Sequence, residues 1–365
     1  MREKVIHFLK GDIVLVVSIC LAVCSCVVVP PSIEYLDYID FRTLILLFCL
    51  MLIIGGLREL NFFEYIGKWI LDHAKSRRGI LVTLVFLCFV SSMFITNDVA
   101  LITFVPFGIM ILRNAGMTFI TCRVVTLMTI AANLGSMFTP IGNPQNLYLF
   151  SLSGFSITEF LMLMLPYTAV SAGVLLLFIL AGGYKRKFTI QVETPELSRK
   201  AVIGFYLLLF ILCLFTVGGI LAPWLLFVLV SLGILLTDRQ LFKKIDYSLL
   251  LTFFFLFIFV GNINGFQALR DMILAVFDGH ERLAAIGASQ VISNVPAAML
   301  LSNYTDNIKE LIVGTNIGGL GTLIASMASL ISYRQIASVY PRFKKKYLIT
   351  FTVYNLIFLA VLWWI

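Results

Sequence analysis

Charge is scarce in this chain. Asp, Glu, Lys and Arg make up 13% of its 365 residues, whereas a typical soluble domain carries roughly a quarter. Histidine is limited to His7, His73 and His280, and neither H-E-x-x-H nor G-x-S-x-G occurs. The usual metallohydrolase and serine-hydrolase signatures are therefore missing, and the chain reads as no enzyme. The seven cysteines (Cys20, Cys24, Cys26, Cys49, Cys88, Cys122, Cys213) are odd in number and lack C-x-x-C spacing, so they read as packing residues of apolar helices. The net charge of +8 does not point to nucleic acid, because the basic residues lie between apolar segments and gather on no single face.

What the chain has is apolar residues, 60% of the total, with a mean hydropathy of +1.01. No soluble fold of this size hides so much, so the fold class expected is an all-α polytopic membrane protein. A crossing needs about 17 to 25 mostly apolar residues. Candidates lie near 12–30, 42–57, 122–150, 159–183, 200–220, 222–237, 247–265, 306–332 and 347–365, which makes nine crossings. The first resembles a signal peptide after Arg2, Lys4 and Lys10, but Asp12 opens the run and no small-x-small site follows, so it reads as a helix that stays.

Two further apolar stretches, 79–112 and 283–304, are each interrupted by a polar tripeptide, Thr96-Asn97-Asp98 and Ser293-Asn294-Val295, and both read as re-entrant hairpins. With the N-terminus cytoplasmic and the C-terminus outside, 23 of the 27 basic residues fall inside, and only Arg42, Arg270, Arg282 and Lys309 fall outside. Segments 60–77 and 267–282 are too charged to cross and read as interfacial helices, one before each hairpin and on opposite sides. That is the pattern of an inverted repeat. Its halves would be 1–183 and 200–365, joined by a cytoplasmic linker at 184–199.

The halves also share local sequence. Ala132 to Leu147 aligns with Thr315 to Leu330 with five identities, among them Asn133 with Asn316, Gly135 with Gly318 and Thr139 with Thr322. Pro140 and Pro144 in one segment, and Gly318, Gly319 and Gly321 in the other, predict that 122–150 and 306–332 are broken helices. Backbone groups freed at membrane depth must line a cavity or meet a ligand. Half-helix ends present N–H groups to anions and carbonyls to cations. Asn97 and Asn294 carry both kinds of group. Ser92 and Ser289, each five residues before its Asn, are candidate hydroxyl ligands, with a back-bond to their own helix as the alternative. Asp98 is the one carboxylate placed near mid-membrane, where charge is costly, so a proton or Na⁺ is its expected partner, with a helix cap as the alternative.

In order along the chain, Thr96-Asn97-Asp98-Val99-Ala100-Leu101, Thr139-Pro140-Ile141-Gly142-Asn143-Pro144-Gln145-Asn146, Ser293-Asn294-Val295-Pro296 and Gly314 to Thr322 make the sequence similar to the ion transporter superfamily. That group holds the divalent anion/sodium symporters, the arsenite permeases and a class of sodium/proton antiporters. The nearest resemblance is to short bacterial inner-membrane anion permease-like proteins. The resemblance implies a homodimer in the lipid bilayer of the inner membrane, with a scaffold and a mobile transport domain that moves like an elevator. It implies a small anionic substrate held by Thr96, Asn97, Asp98, Ser293 and Asn294, with Thr139, Asn143 and Thr322 at the breaks. It places sodium at Ser92, Asn97 and Gly142 in one half and at Ser289, Asn294 and Ala325 in the other.

The match departs at the third tip residue. Asp98 and Val295 stand where dicarboxylate carriers have Thr, and an ionised Asp98 would repel a dicarboxylate. Asn97-Asp98 instead resembles the arsenite permeases, which gives weight to proton coupling through Asp98. The expectation is a secondary transporter of a di- or tricarboxylate, sulfate or arsenite-like anion, driven by Na⁺ or H⁺ and with no other cofactor. A cation/proton antiporter using Asp98 is the alternative. A channel would not need two oppositely oriented hairpins.

Overall fold

The computed structural model describes residues 13–74, 76–182, 197, 199–263 and 279–365. Among them there are α-helices and short 3-10 turns and no strand. The helices are α1 (Ile13–Cys26), α2 (Phe41–Glu59), α3 (Phe62–Leu71), α4 (Arg77–Ile95), α5 (Asn97–Asn114), α6 (Thr121–Ser136), α7 (Pro144–Ser153) and α8 (Ile157–Leu180). The second half continues with α9 (Lys200–Val217), α10 (Pro223–Asp238), α11 (Tyr247–Ile263), α12 (Glu281–Ile292), α13 (Asn294–Leu301), α14 (Ile308–Ile317), α15 (Met327–Val339) and α16 (Lys344–Trp363). The chain is a polytopic membrane protein. Among the described residues, seven helical segments are long and apolar enough to cross a membrane, and two shorter apolar helices add to them. Outside the hairpins, α1, α2, α8 to α11, α16 and the pairs α6/α7 and α14/α15 supply nine candidate crossings.

Both polar tripeptides sit where helices turn back. The first hairpin is α4–α5 and extends to 77–114, and α4 alone is long enough to span. The second, α12–α13, is shorter at 281–301. The breaks fall at 137–143 and 318–326. Within 60–77 the short amphipathic α3 covers Phe62–Leu71. The interfacial helix expected over 267–282 and the linker 184–199 lie mostly outside the described residues.

Polar side chains set several helix starts. Asp40 accepts from the Thr43 N–H at 3.0 Å to open α2, and Asp246 accepts from the Leu249 N–H at 3.1 Å to open α11. Ser156 and Glu159 form a reciprocal capping box on α8. Every residue of α6 except Arg123 is buried, so this helix forms the centre of the molecule.

Packing repeats in pairs that relate the two halves. Helix α1 packs on α11, and α10 on α2. Likewise α4 packs on α6, and α12 on α14. The second piece of each broken helix crosses over: α15 packs on α5 and α6, while α7 packs on α13 and α14. Hairpin and broken helix approach closely only because of glycine. A Cβ on Gly135 would collide with the Phe89 carbonyl oxygen, and one on Gly318 would lie 2.7 Å from Ser289 Oγ.

Candidate functional site

The two tips have one backbone geometry. Thr96 (φ 64°, ψ 150°) and Ser293 (φ 75°, ψ 153°) both occupy a region that favours glycine. Each turn releases the next residue's N–H toward the neighbouring break. Asn97 N–H donates to the Gly142 carbonyl at 3.3 Å, and Asn294 N–H to the Ala325 carbonyl at 3.0 Å. A second matched pair holds the arms, because the hydroxyl of Thr139 donates to the Met93 carbonyl and that of Thr322 to the Gln290 carbonyl. Thr96, Asn97, Thr139, Gly142 and Asn143 therefore gather in one half, and Ser293, Asn294, Thr322 and Ala325 in the other. Asn97, Asn143, Ser293 and Asn294 are all buried, while Thr322 is exposed.

The side chains at the tips are turned into the protein. Asn97 Oδ1 accepts from the Asp98 N–H at 2.9 Å, and its Nδ2 donates to Asn133 Oδ1 at 3.0 Å. Ser293 Oγ donates to Asn294 Oδ1 at 3.4 Å. Ser92 and Ser289 are fully buried and donate back to the Phe89 and Ala285 carbonyls at 3.0 and 2.7 Å. This is the back-bonded alternative; it uses each hydroxyl's proton and leaves its lone pairs for a cation. Asp98 opens α5 half-buried, and among the described residues no side chain donates to its carboxylate. Its charged neighbour is Asp246, at the start of α11.

Behind the tips lies an amide network that links the halves. Asn133 Oδ1 also accepts from Ser326 Oγ at 3.1 Å, and Asn133 Nδ2 reaches Gly319 O and Ser329 Oγ at 3.5 Å. Its repeat partner Asn316 donates to Asn146 Oδ1 at 2.7 Å. In the alignment Ser329 corresponds to Asn146, so each broken helix's first piece holds the other's second piece at equivalent positions. The unwound carbonyls are satisfied differently in the two halves. Asn146 Nδ2 serves Ser136, Met137 and Thr139 at 3.3 to 3.4 Å, whereas Gln290 Nε2 serves Gly318 and Leu320 at 2.8 and 2.9 Å.

The saturation also differs. Asn133 Oδ1 has two donors, but the buried Oδ1 atoms of Asn143 and Asn316 have no hydrogen-bond partner among the described residues. A buried carboxamide oxygen without a donor is costly, and a cation or ordered water would satisfy it. Among the described residues there is no group of three or more His, Cys, Asp and Glu that could hold a metal ion.

Asn133, Asn146, Asn316, Gln290, Ser326 and Ser329 were not among the site residues expected from sequence. Asn133 and Asn316 carried a signal as identities of the repeat, and Asn146 as the last residue of the T-P-I-G-N-P-Q-N stretch. Gln290 carried none, because its counterpart is Met93.

Broken helices joined tip to break within a polytopic bundle define the architecture of a membrane transporter. The chain belongs to the citrate transporter family, whose model matches residues 6–310. It is 37% identical over 304 residues to a transporter of Methanocaldococcus jannaschii, covering 82% of each chain. It is 34% identical over 306 residues to the inner membrane protein YbiR of Escherichia coli, covering 81% of this chain and 80% of that one. A shorter similarity, 29% over 148 residues and 30% of the relative's length, links it to the silicon efflux transporter LSI3 of Oryza sativa. The family is one of transporters, and the relatives from Methanocaldococcus jannaschii and Oryza sativa are named as transporters.

Proposed function

We propose that the protein is a secondary active transporter that moves a small anion or oxyanion across the inner membrane, coupled to Na⁺ or H⁺. The observation that carries this reading is the matched pair of tip contacts, Asn97 to Gly142 and Asn294 to Ala325. Two helix N-termini, α5 and α13, begin at these tips, and each carries partial positive charge at its tip. An oxyanion such as arsenite, sulfate or a carboxylate suits that field. The Asn143 and Asn316 oxygens without donors, together with the Ser92 and Ser289 lone pairs, suit the coupling cation. Transport would proceed by an elevator-type motion of hairpins and broken helices against α1, α2, α10 and α11, in a homodimer with the N-terminus cytoplasmic.

A second reading is a cation/proton antiporter, favoured by Asp98, a half-buried carboxylate at the first tip to which no side chain among the described residues donates. A carboxylate at membrane depth favours a proton or a cation over an approaching anion. One experiment separates the readings: thermal melting of the purified protein with dicarboxylates, citrate, sulfate, phosphate or arsenite, each with and without Na⁺ and at two pH values. A ligand that binds only the folded state raises the melting point. Anion stabilisation that requires Na⁺ or low pH supports symport, whereas response to Na⁺ or pH alone, with every anion silent, supports the antiporter.

A further inference from the structure

An apolar cavity of about 580 Å³ lies between α2, α3, α4, α5 and α9. Ile54, Phe63, Ile66, Phe86, Phe104 and Leu207 are part of its wall, and among the described residues the polar side chains there are Thr83 and Ser91. Ser91 turns its hydroxyl back to the Leu87 carbonyl. Water has too few partners in such a space. The wall extends to Ile70, Val90 and Phe94, which are 36%, 50% and 48% exposed, so the cavity opens on the outer surface of a membrane-spanning bundle. The apolar molecule at that surface is lipid.

Charge at one end of the cavity identifies the kind of lipid. Arg78 stands one helical turn before Val82 on the same face of α4, with Arg77 beside it. One terminal nitrogen of Arg78 reaches the Leu180 carbonyl at 3.4 Å, while its buried Nε has no hydrogen-bond partner. On α3, Lys68 lies two residues from both Ile66 and Ile70, on the helix face turned away from this wall, and is buried and paired to Asp72 at 2.9 Å, so it takes no part in the site. Glu64, the remaining acid of α3, is absent from the wall and has Arg58 as its charged neighbour. Basic pockets between helices at this end of a bundle bind anionic headgroups.

We propose that this cavity holds one acyl chain of an anionic phospholipid, with its phosphate at Arg78. The site joins α2 and α9 on one side to the hairpin arm α4 on the other, so the lipid fills a seam between the hairpin and the helices around it. Lipid binding here does not depend on which ion or anion is carried, so it stands or falls apart from the transport reading.

The test uses the full chain, purified in mild detergent, stripped of lipid, and then given phosphatidylglycerol or phosphatidylcholine with the same acyl chains. Bound lipid is counted by native mass spectrometry, and the melting point is followed in parallel. The expected result is retention and stabilisation by phosphatidylglycerol in preference to phosphatidylcholine. Thr83→Trp, which fills the cavity, should lose both the bound lipid and the shift. Val90→Gln, at the exposed mouth, should weaken both without disturbing the core. Arg78→Gln should bind the two lipids alike. Wild-type protein that takes up neither lipid, or Thr83→Trp and Val90→Gln proteins that bind phosphatidylglycerol as wild type does, would overturn the site. An undiminished preference in Arg78→Gln would overturn the headgroup assignment.

Discussion

Asn316 donates to Asn146 across 170 positions of sequence, at 2.7 Å, and so ties the first piece of one broken helix to the second piece of the other. Both side chains are almost fully buried. Replacing Asn316 by Ala leaves Asn146 Oδ1 without that donor, and the expected loss is about 1–3 kcal/mol of stability. A melting series in detergent checks this, and a variant as stable as wild type would show the contact to be dispensable.

The tip asparagines should affect ligand response more than folding. Asn97→Ala removes the partner of Asn133, and Asn294→Ala removes its counterpart. Both are expected to abolish uptake and ligand-induced stabilisation in proteoliposomes. Unchanged uptake in either variant would remove that tip from the site.

Asp98 is expected to carry the pH response. Its carboxylate has Asp246 as charged neighbour and no side-chain donor among the described residues. Asp98→Asn should flatten the dependence of transport on pH while leaving the α5 start intact, because Thr96 is the N-cap of α5 and the Asp98 side chain makes no capping bond. The capping role expected as the alternative is not the one observed, since no side chain caps α5, and a retained pH profile would exclude Asp98 as the coupling group.

The strained tips give a prediction in which stability and function diverge. Thr96 and Ser293 hold a backbone conformation that costs residues with a Cβ of order 1–3 kcal/mol. Thr96→Gly and Ser293→Gly should therefore melt higher than wild type and yet transport more slowly, since the tip hydroxyl is lost. Faster transport in these variants would show that the hydroxyls have no role in binding.

Gly135 and Gly318 should tolerate no side chain. A Cβ at Gly135 meets the backbone of α4, which has little room to yield. Gly135→Ala is expected to cost about 1–3 kcal/mol by overpacking. The melting point against wild type is the measurement.

Much of this arrangement was legible in the sequence, because membrane helices have little freedom to hide polar residues. Thr96-Asn97-Asp98 and Ser293-Asn294-Val295 stood out as interruptions of apolar runs, and Pro140, Pro144 and the glycines at 318–321 marked the breaks. The contact partners were not legible. Whether Ser92 and Ser289 bond back or outward depends on rotamers, and the partner of Asn133 at Ser329 lies 196 positions away. Gln290 went unnoticed because the repeat that exposed the other residues is broken there.

The exchange of α7 and α15 between the halves bears on how the chain is made. During synthesis the first half emerges with Asn146 and the packing surface of α7 complete but without α13 and α14, which are still to be translated. No stage before the last quarter of the chain allows that surface to close. The first half therefore completes this packing only after α13 and α14 are made, and a truncated first half should be less stable than the full chain.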